Sequence, residues 1–199
     1  GTKEGAIRYF NKTFLTNFST ERKTLLIIGG SLGAGTINQS IIVHLEALIE
    51  SNIQVIWQTG KNYFADCKTA LEKCQWLNIN SPIICTDFVS QMPWAYALAD
   101  LVISRAGASS ISELCLLGKP AILVPSPNVA EDHQTQNALA LSTKNAAIMI
   151  TDANAEKEMI PTALTLINDE EKLSSLHDNI SLLAQHDSAS RIADEVLNL

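Results

Sequence analysis

The residues whose types and spacing could do chemistry are small and polar, and they stand at the ends of short apolar runs. The run Thr24–Ile28 is followed by Gly29, Gly30, Ser31, Leu32, Gly33, Ala34 and Gly35, which lead into a helical pattern. A turn of this kind presents backbone N–H groups at a helix N-terminus, the arrangement that attracts an anion. It is not the dinucleotide fingerprint, because Leu32 stands where the middle glycine belongs between Gly30 and Gly35. Nor is it a P-loop, because Thr36 replaces the lysine. A purely structural strand-to-helix turn accounts for the same residues.

A second segment follows the run 101–103 and reads Ser104, Arg105, Ala106, Gly107, Ala108, Ser109, Ser110, Ile111, Ser112, Glu113. A phosphate or diphosphate could accept from N–H groups and hydroxyls at this helix start. Equally, Ser110 with Glu113 has the spacing of a capping box, which needs no ligand. A third segment, 125–134, carries two prolines that hold it extended before a helix with a polar first turn. Its Gln134 amide both donates and accepts, as a reader of sugar hydroxyls must, although a solvated first turn explains it as well. His133 has no carboxylate placed by the sequence to orient it as a base. No metal-ligand spacing, nucleophile elbow or HExxH pattern occurs.

These segments need a scaffold that brings strand ends together. Apolar runs at 24–28, 53–57, 82–85, 101–103, 121–124 and 147–150 predict six strands. Helical patterns lie between them, one with Ile37, Ile41, Leu45, Leu48 and Ile49 on a single face, the others over 63–74, 93–99, 110–117 and 132–143. Strands apolar throughout and alternating with helices predict a parallel sheet covered on both faces, an α/β, Rossmann-like doubly wound domain. The tail from 155 predicts helices only, the last over 188–199. At the other end Ile7, Phe10, Phe14 and Phe18 are spaced like one helical face. The expected organisation is a lead-in over 1–20, the domain over 21–185 and a terminal helix over 186–199. The apolar faces at 7–18 and 192–199 are expected to be under-packed.

The 199 residues are 46% hydrophobic with a net charge of −7, which excludes disorder as the main state and argues against a nucleic-acid partner. No apolar run reaches the roughly 20 residues of a membrane-spanning helix, and the start has no leader pattern. Cys67, Cys74, Cys85 and Cys115 show no CxxC spacing and read as buried free thiols.

Five segments in order, 27–34 (IIGGSLGA), 57–61 (WQTGK), 86–92 (TDFVSQM), 103–116 (ISRAGASSISELCL) and 125–141 (PSPNVAEDHQTQNALAL), resemble the C-terminal half of the MurG family of peptidoglycan glycosyltransferases. The resemblance runs from about residue 6 to the end. It implies one half of a GT-B enzyme, in which two Rossmann-like domains enclose a cleft. It also implies an inverting, metal-independent transfer of GlcNAc from UDP-GlcNAc to lipid I, giving lipid II, without a cofactor. The implied setting is the cytoplasmic face of the bacterial inner membrane, with membrane contact through the full-length enzyme.

By position, the resemblance places Ser31 near the donor diphosphate and the backbone of Val89 at the uracil. Ala108, Ser109, Ser110, Ile111, Ser112 and Glu113 match the donor loop and helix start, with Glu113 on the ribose hydroxyls. Gln134 matches a glutamine on the GlcNAc hydroxyls. The sequence departs from the family pattern at Gly35, where an arginine is frequent, and at Gly1-Thr2-Lys3, where the linker GNPVR is not found. The acceptor half, with the histidine proposed as base, has no counterpart in these residues. The chain is therefore expected to bind donor without transferring sugar by itself; the alternatives are a subunit of a two-chain transferase and a non-catalytic nucleotide-sugar-binding module.

Overall fold

The computed structural model describes residues 2–74, 81–127 and 132–184. Six parallel strands, β1 (Thr24–Ile28), β2 (Gln54–Gln58), β3 (Ile83–Thr86), β4 (Leu101–Ser104), β5 (Ala121–Leu123) and β6 (Ile148–Met149), form one sheet in the order β3-β2-β1-β4-β5-β6. The sequence predicts each of these strands to within two residues. Side-chain alternation along them fills two cores. Leu25 and Ile27 of β1 face one side with Val55, Trp57 and Ile103, while Leu26 and Ile28 face the other with Ile56 and Val102. Both faces are covered, as a parallel sheet requires.

One face carries α2 (Gly35–Val43), α3 (Leu45–Glu50), α4 (Phe64–Lys73) and α8 (Asp152–Ile167). The other carries α1 (Lys3–Phe14), α5 (Met92–Leu98), α6 (Ala108–Leu117) and α7 (His133–Ser142). The last described helix, α9 (Glu170–Ser181), places Leu173 and Leu176 in the first core and Ile180 in the second. The predicted helix over 188–199 lies outside the described residues.

Three expectations differ from the structure. The single helix predicted through Ile37 and Ile49 is two, divided at His44, whose backbone N–H bonds Ile41 at 3.1 Å while its Nδ1 lies 2.9 Å from the Ser40 carbonyl. The N-terminal helix ends at Phe14, where Leu15 turns left-handed at φ 54°, so Phe18 is reached by a non-helical segment. Finally, the face at 7–18 is not under-packed. Ala6, Phe10 and Phe18 are buried in the second core, the Tyr9 and Trp94 rings lie 5.5 Å apart, and Lys3 reaches Asp100 at 2.8 Å. Burying Phe10 alone contributes about 1.5–3 kcal/mol, and α1 is expected to show amide protection close to that of β1 in hydrogen exchange.

All four cysteines are unpaired. Burial pushes the thiols of Cys67 and Cys85 up to about 12. The thiolate is the nucleophile, so at pH 8 both are expected to resist a thiol-specific reagent until the chain unfolds. The sign of the linkage follows: the unfolded chain loses these protons first, so the two thiols cost stability as the pH rises past 9 toward 12. Urea unfolding at pH 8 and pH 10, with and without Cys67→Ala, measures it.

Candidate functional site

Every strand points its carboxyl end to the same edge, so the loops after β1, β3, β4 and β5 share one rim. The chain order reverses between β1 and β4, whose ends pair as Ile28 with Ser104. Ligands of open α/β sheets bind in the crevice at such a switch point. Ser31 and the stretch from Ala108 to Ser112 stand on either side of it.

Both flanking helices begin without a side-chain cap. Ala34 is the N-cap of α2 and Gly107 that of α6, and neither helix start receives a side-chain hydrogen bond. The first N–H groups of each helix are left as donors, with the helix dipole behind them. Ser31 and Ser109 are exposed, and the Ser109 and Ser110 hydroxyls make no hydrogen bond among the described residues.

The capping box expected of Ser110 and Glu113 is not formed. The helix starts at Ala108, two residues earlier than the sequence predicts, so Ser110 lies inside it and Gly107 occupies the cap. Glu113 instead accepts from the Tyr96 hydroxyl through Oε2 at 3.0 Å. Glu113 and Tyr96 line a groove of about 520 Å3 between α5 and α6, together with Met92, Pro93, Leu117 and Lys119. Burial, reinforced by the neighbouring Glu113 carboxylate, pushes the Tyr96 phenol up and keeps it a donor. Burial pushes the Lys119 ammonium down, and its Nζ donates to the Ala99 carbonyl at 2.8 Å.

Val89 is buried and joined to the β1 loop through one side chain. The buried Gln58 accepts from the Val89 N–H at 2.9 Å and donates to the Gly30 carbonyl at 3.3 Å. The carbonyl of Val89 is thus the backbone group left to an incoming donor. The loops are locked further by backbone bonds from Lys61 to Ser31 at 3.1 Å and from Gly60 to Asp87 at 3.1 Å. Below them, Asn38 donates to the Thr59 carbonyl and accepts from the Trp57 indole, both at 2.9 Å.

On the other side of the switch point, Gln134 accepts from the Ser126 N–H at 2.9 Å, while its Nε2 makes no hydrogen bond among the described residues. Asn137 ties the same helix to Ala106 at 3.0 Å. The structure therefore places Ser31, Val89, Ala108, Ser109, Ser110 and Gln134 at the rim, with Ile111 against the second core and Glu113 further along α6 in the adjoining groove. It links Val89 to the Ser31 loop, and α7, which carries Gln134, to the β4 loop. Gln58 and Tyr96 were not singled out by sequence; WQTGK contains Gln58, but nothing in the spacing predicts its two partners. Among the described residues, no group of three or more His, Cys, Asp or Glu side chains could hold a metal ion, and no helix is long and apolar enough to cross a membrane.

Comparison with known proteins agrees with this fold. The pattern of the Glycosyltransferase family 28 C-terminal domain matches residues 24–194. A UDP-N-acetylglucosamine–N-acetylmuramyl-(pentapeptide) pyrophosphoryl-undecaprenol N-acetylglucosamine transferase of Parabacteroides distasonis is 54% identical over 99% of this chain and 51% of its own length. The protein of the same name from Bacteroides fragilis is 52% identical over 99% of this chain and 50% of its own. Among solved structures, MurG of Acinetobacter baumannii superposes with a TM-score of 0.77 at 24% identity, over 100% of this chain and 54% of that one, a likeness of fold. The chain thus spans about half the length of these relatives. With the whole sheet inside the matched residues, the chain belongs to the glycosyltransferase family 28 C-terminal domain family.

Proposed function

We propose that this chain is the donor-binding half of an inverting transferase that moves GlcNAc from UDP-GlcNAc to lipid I. The observation that carries the reading is the pair of uncapped helix starts at the β1/β4 switch point, with the Glu113 carboxylate in the adjoining groove and released from any capping role. The diphosphate accepts from the N–H groups of α2 and α6 and from the hydroxyls of Ser31, Ser109 and Ser110. Uracil N3–H donates to the Val89 carbonyl, Glu113 accepts from the ribose diol, and Gln134 meets the GlcNAc hydroxyls. The names of the relatives, each a GlcNAc transferase onto a pyrophosphoryl-undecaprenol acceptor, support this donor and this acceptor.

In the transfer, the acceptor hydroxyl attacks the anomeric carbon as the bond to UDP breaks. UDP leaves with the electron pair, and the hydroxyl proton passes to a base in the acceptor half. Charge grows on the leaving diphosphate, where fixed N–H dipoles stabilise it more in the transition state than in the ground state. Acceptor binding, the base and peripheral attachment to the inner membrane belong to the acceptor half of the enzyme.

Calorimetric titration tests the reading. The chain is expected to bind UDP and UDP-GlcNAc without magnesium and to transfer nothing to lipid I by itself. An absolute requirement for a divalent ion, or turnover by this chain alone, would overturn it. Glu113→Gln is expected to weaken UDP binding by about 10- to 100-fold, since hydrogen bonds to a charged group contribute roughly 1.5–3 kcal/mol. The melting temperature should barely move, because Glu113 caps nothing. Wild-type affinity in that variant would remove Glu113 from the site.

A further inference from the structure

We propose that Tyr96 is a positioning residue that holds the Glu113 carboxylate for the ribose and sets the spacing between the base and ribose subsites. The inference rests on the donor-binding reading above and adds to it a residue that never touches the nucleotide.

Glu113 is exposed, and on a helix surface its side chain would sample many rotamers. One bond removes that freedom. The Tyr96 hydroxyl donates to Oε2 at 3.0 Å, while Oε1 makes no hydrogen bond among the described residues. The carboxylate is therefore anchored by one oxygen and open at the other, the state in which it can accept from a diol without first being ordered.

The anchor itself is rigid. Tyr96 is only 5% exposed and packs in the second core with Ala95, Leu98 and Val102. With the phenol pushed up by burial and by the carboxylate, it keeps its proton and remains a donor. Lys119, the cation of the same groove, is held by the Ala99 carbonyl and does not form an ion pair with Glu113 among the described residues. The phenol is thus the group that orients the carboxylate.

The bond also spans two elements. Tyr96 lies on α5, which begins three residues after Val89, whereas Glu113 lies on α6, the helix whose N-terminus faces the diphosphate. Because Val89 is fixed through Gln58 and Glu113 through Tyr96, the groups facing uracil and ribose are held at one separation. Preorganisation of this kind raises affinity by lowering the cost of ordering at the moment of binding.

Tyr96→Phe keeps the ring and its packing and removes only the donor, and thermal unfolding is the check that the fold is retained. Titration with UDP and with 2′-deoxy-UDP reads the positioning. Wild type is expected to prefer UDP; Tyr96→Phe should bind UDP about three- to tenfold more weakly, leave 2′-deoxy-UDP within about twofold and so lose most of the preference. In the Glu113→Gln background the same change should have little further effect, which is the signature of two residues acting through one contact. A residue serving packing alone would lower the affinity for both nucleotides in parallel. If Tyr96→Phe keeps the wild-type preference while Glu113→Gln loses it, Tyr96 positions nothing and the proposal fails alone. If Glu113→Gln itself binds UDP like wild type, the donor-site assignment of Glu113 fails first and the proposal falls with it.

Discussion

Replacing Gly60 with alanine is expected to destabilise the fold by about 3 kcal/mol or more, a drop of roughly 6–12 °C in melting temperature for a chain of this size. Two costs add. Gly60 sits at φ +77°, a region an L side chain enters only at a cost of about 1–3 kcal/mol. A Cβ built there would also lie 2.1 Å from the backbone nitrogen of Gly33 and 2.3 Å from its Cα, so one loop must move away from the other. Backbone has no rotamer with which to yield. Two other glycines separate the terms. Gly30 has φ +82° and open space around it, so Gly30→Ala carries the conformational cost alone. Gly107 has neither a positive φ nor a neighbour within 4 Å, so Gly107→Ala should be close to neutral. Thermal unfolding of the three variants should rank Gly60 far above Gly30, and Gly30 above Gly107. Equal effects at Gly60 and Gly30 would show that the close approach of the two loops contributes nothing.

That close approach gives a physical meaning to two of the segments that carry the family resemblance. Residues 27–34 and 57–61 are far apart in sequence, yet Gly33 and Gly60 touch and the Ser31 carbonyl accepts from Lys61. The strands were legible because a buried parallel strand is apolar through its middle, as the fully buried β1, β2 and β4 show, with the polar Thr24, Gln54, Gln58 and Ser104 only at their ends. The break at His44 was not, because the apolar face continues from Ile41 to Leu45 and Leu48 across it.

The site was legible in part. Small residues after β1 and β4 announced two helix starts, and the parallel order of the strands guaranteed that they share a rim. The fate of the capping box was not, since the Ser110-to-Glu113 spacing fits one whether or not the helix begins there. The capping box is absent because α6 starts at Ala108, which leaves Ser110 inside the helix and Gly107 at its cap. Gln58 and Tyr96 were hidden for a simpler reason: each bonds a partner 17 to 31 residues away, a pairing no local pattern encodes.

Arg105→Ala is expected to cost about 2–4 kcal/mol, the range for breaking an ion pair that is mostly but not wholly removed from water. The Arg105 guanidinium donates through Nη1 to the Val124 carbonyl at 3.1 Å, the Pro125 carbonyl at 3.2 Å and Asp152 Oδ1 at 2.5 Å. The other oxygen of Asp152 accepts from the Thr36 hydroxyl at 2.9 Å, so Thr36, which stands in place of a P-loop lysine, pairs within the protein. One cation thereby joins the β4 loop, the β5 loop and the first turns of α2 and α8. The side chains of the pair are 17% and 19% exposed, so deleting the arginine strands a carboxylate with little water to solvate it. Arg105→Lys keeps the charge but loses the reach and planar geometry of the guanidinium and should fall between wild type and alanine. Thr36→Val should cost only about 1 kcal/mol, one neutral donor lost to a charged acceptor that keeps its cation. Combining Arg105→Ala with Asp152→Asn should cost less than the sum of the two, by about 1–3 kcal/mol, because each variant removes the same contact. Strict additivity in denaturant titrations would show that the pair contributes nothing. The arrangement also separates two ways in which Arg105 could affect the donor. Its charge is already neutralised by Asp152, so it should influence nucleotide binding by holding the rim in place and not by attracting the diphosphate. The affinity of Arg105→Ala for UDP should then fall with added salt along the same slope as that of wild type, and a shallower slope would identify Arg105 as a phosphate ligand instead.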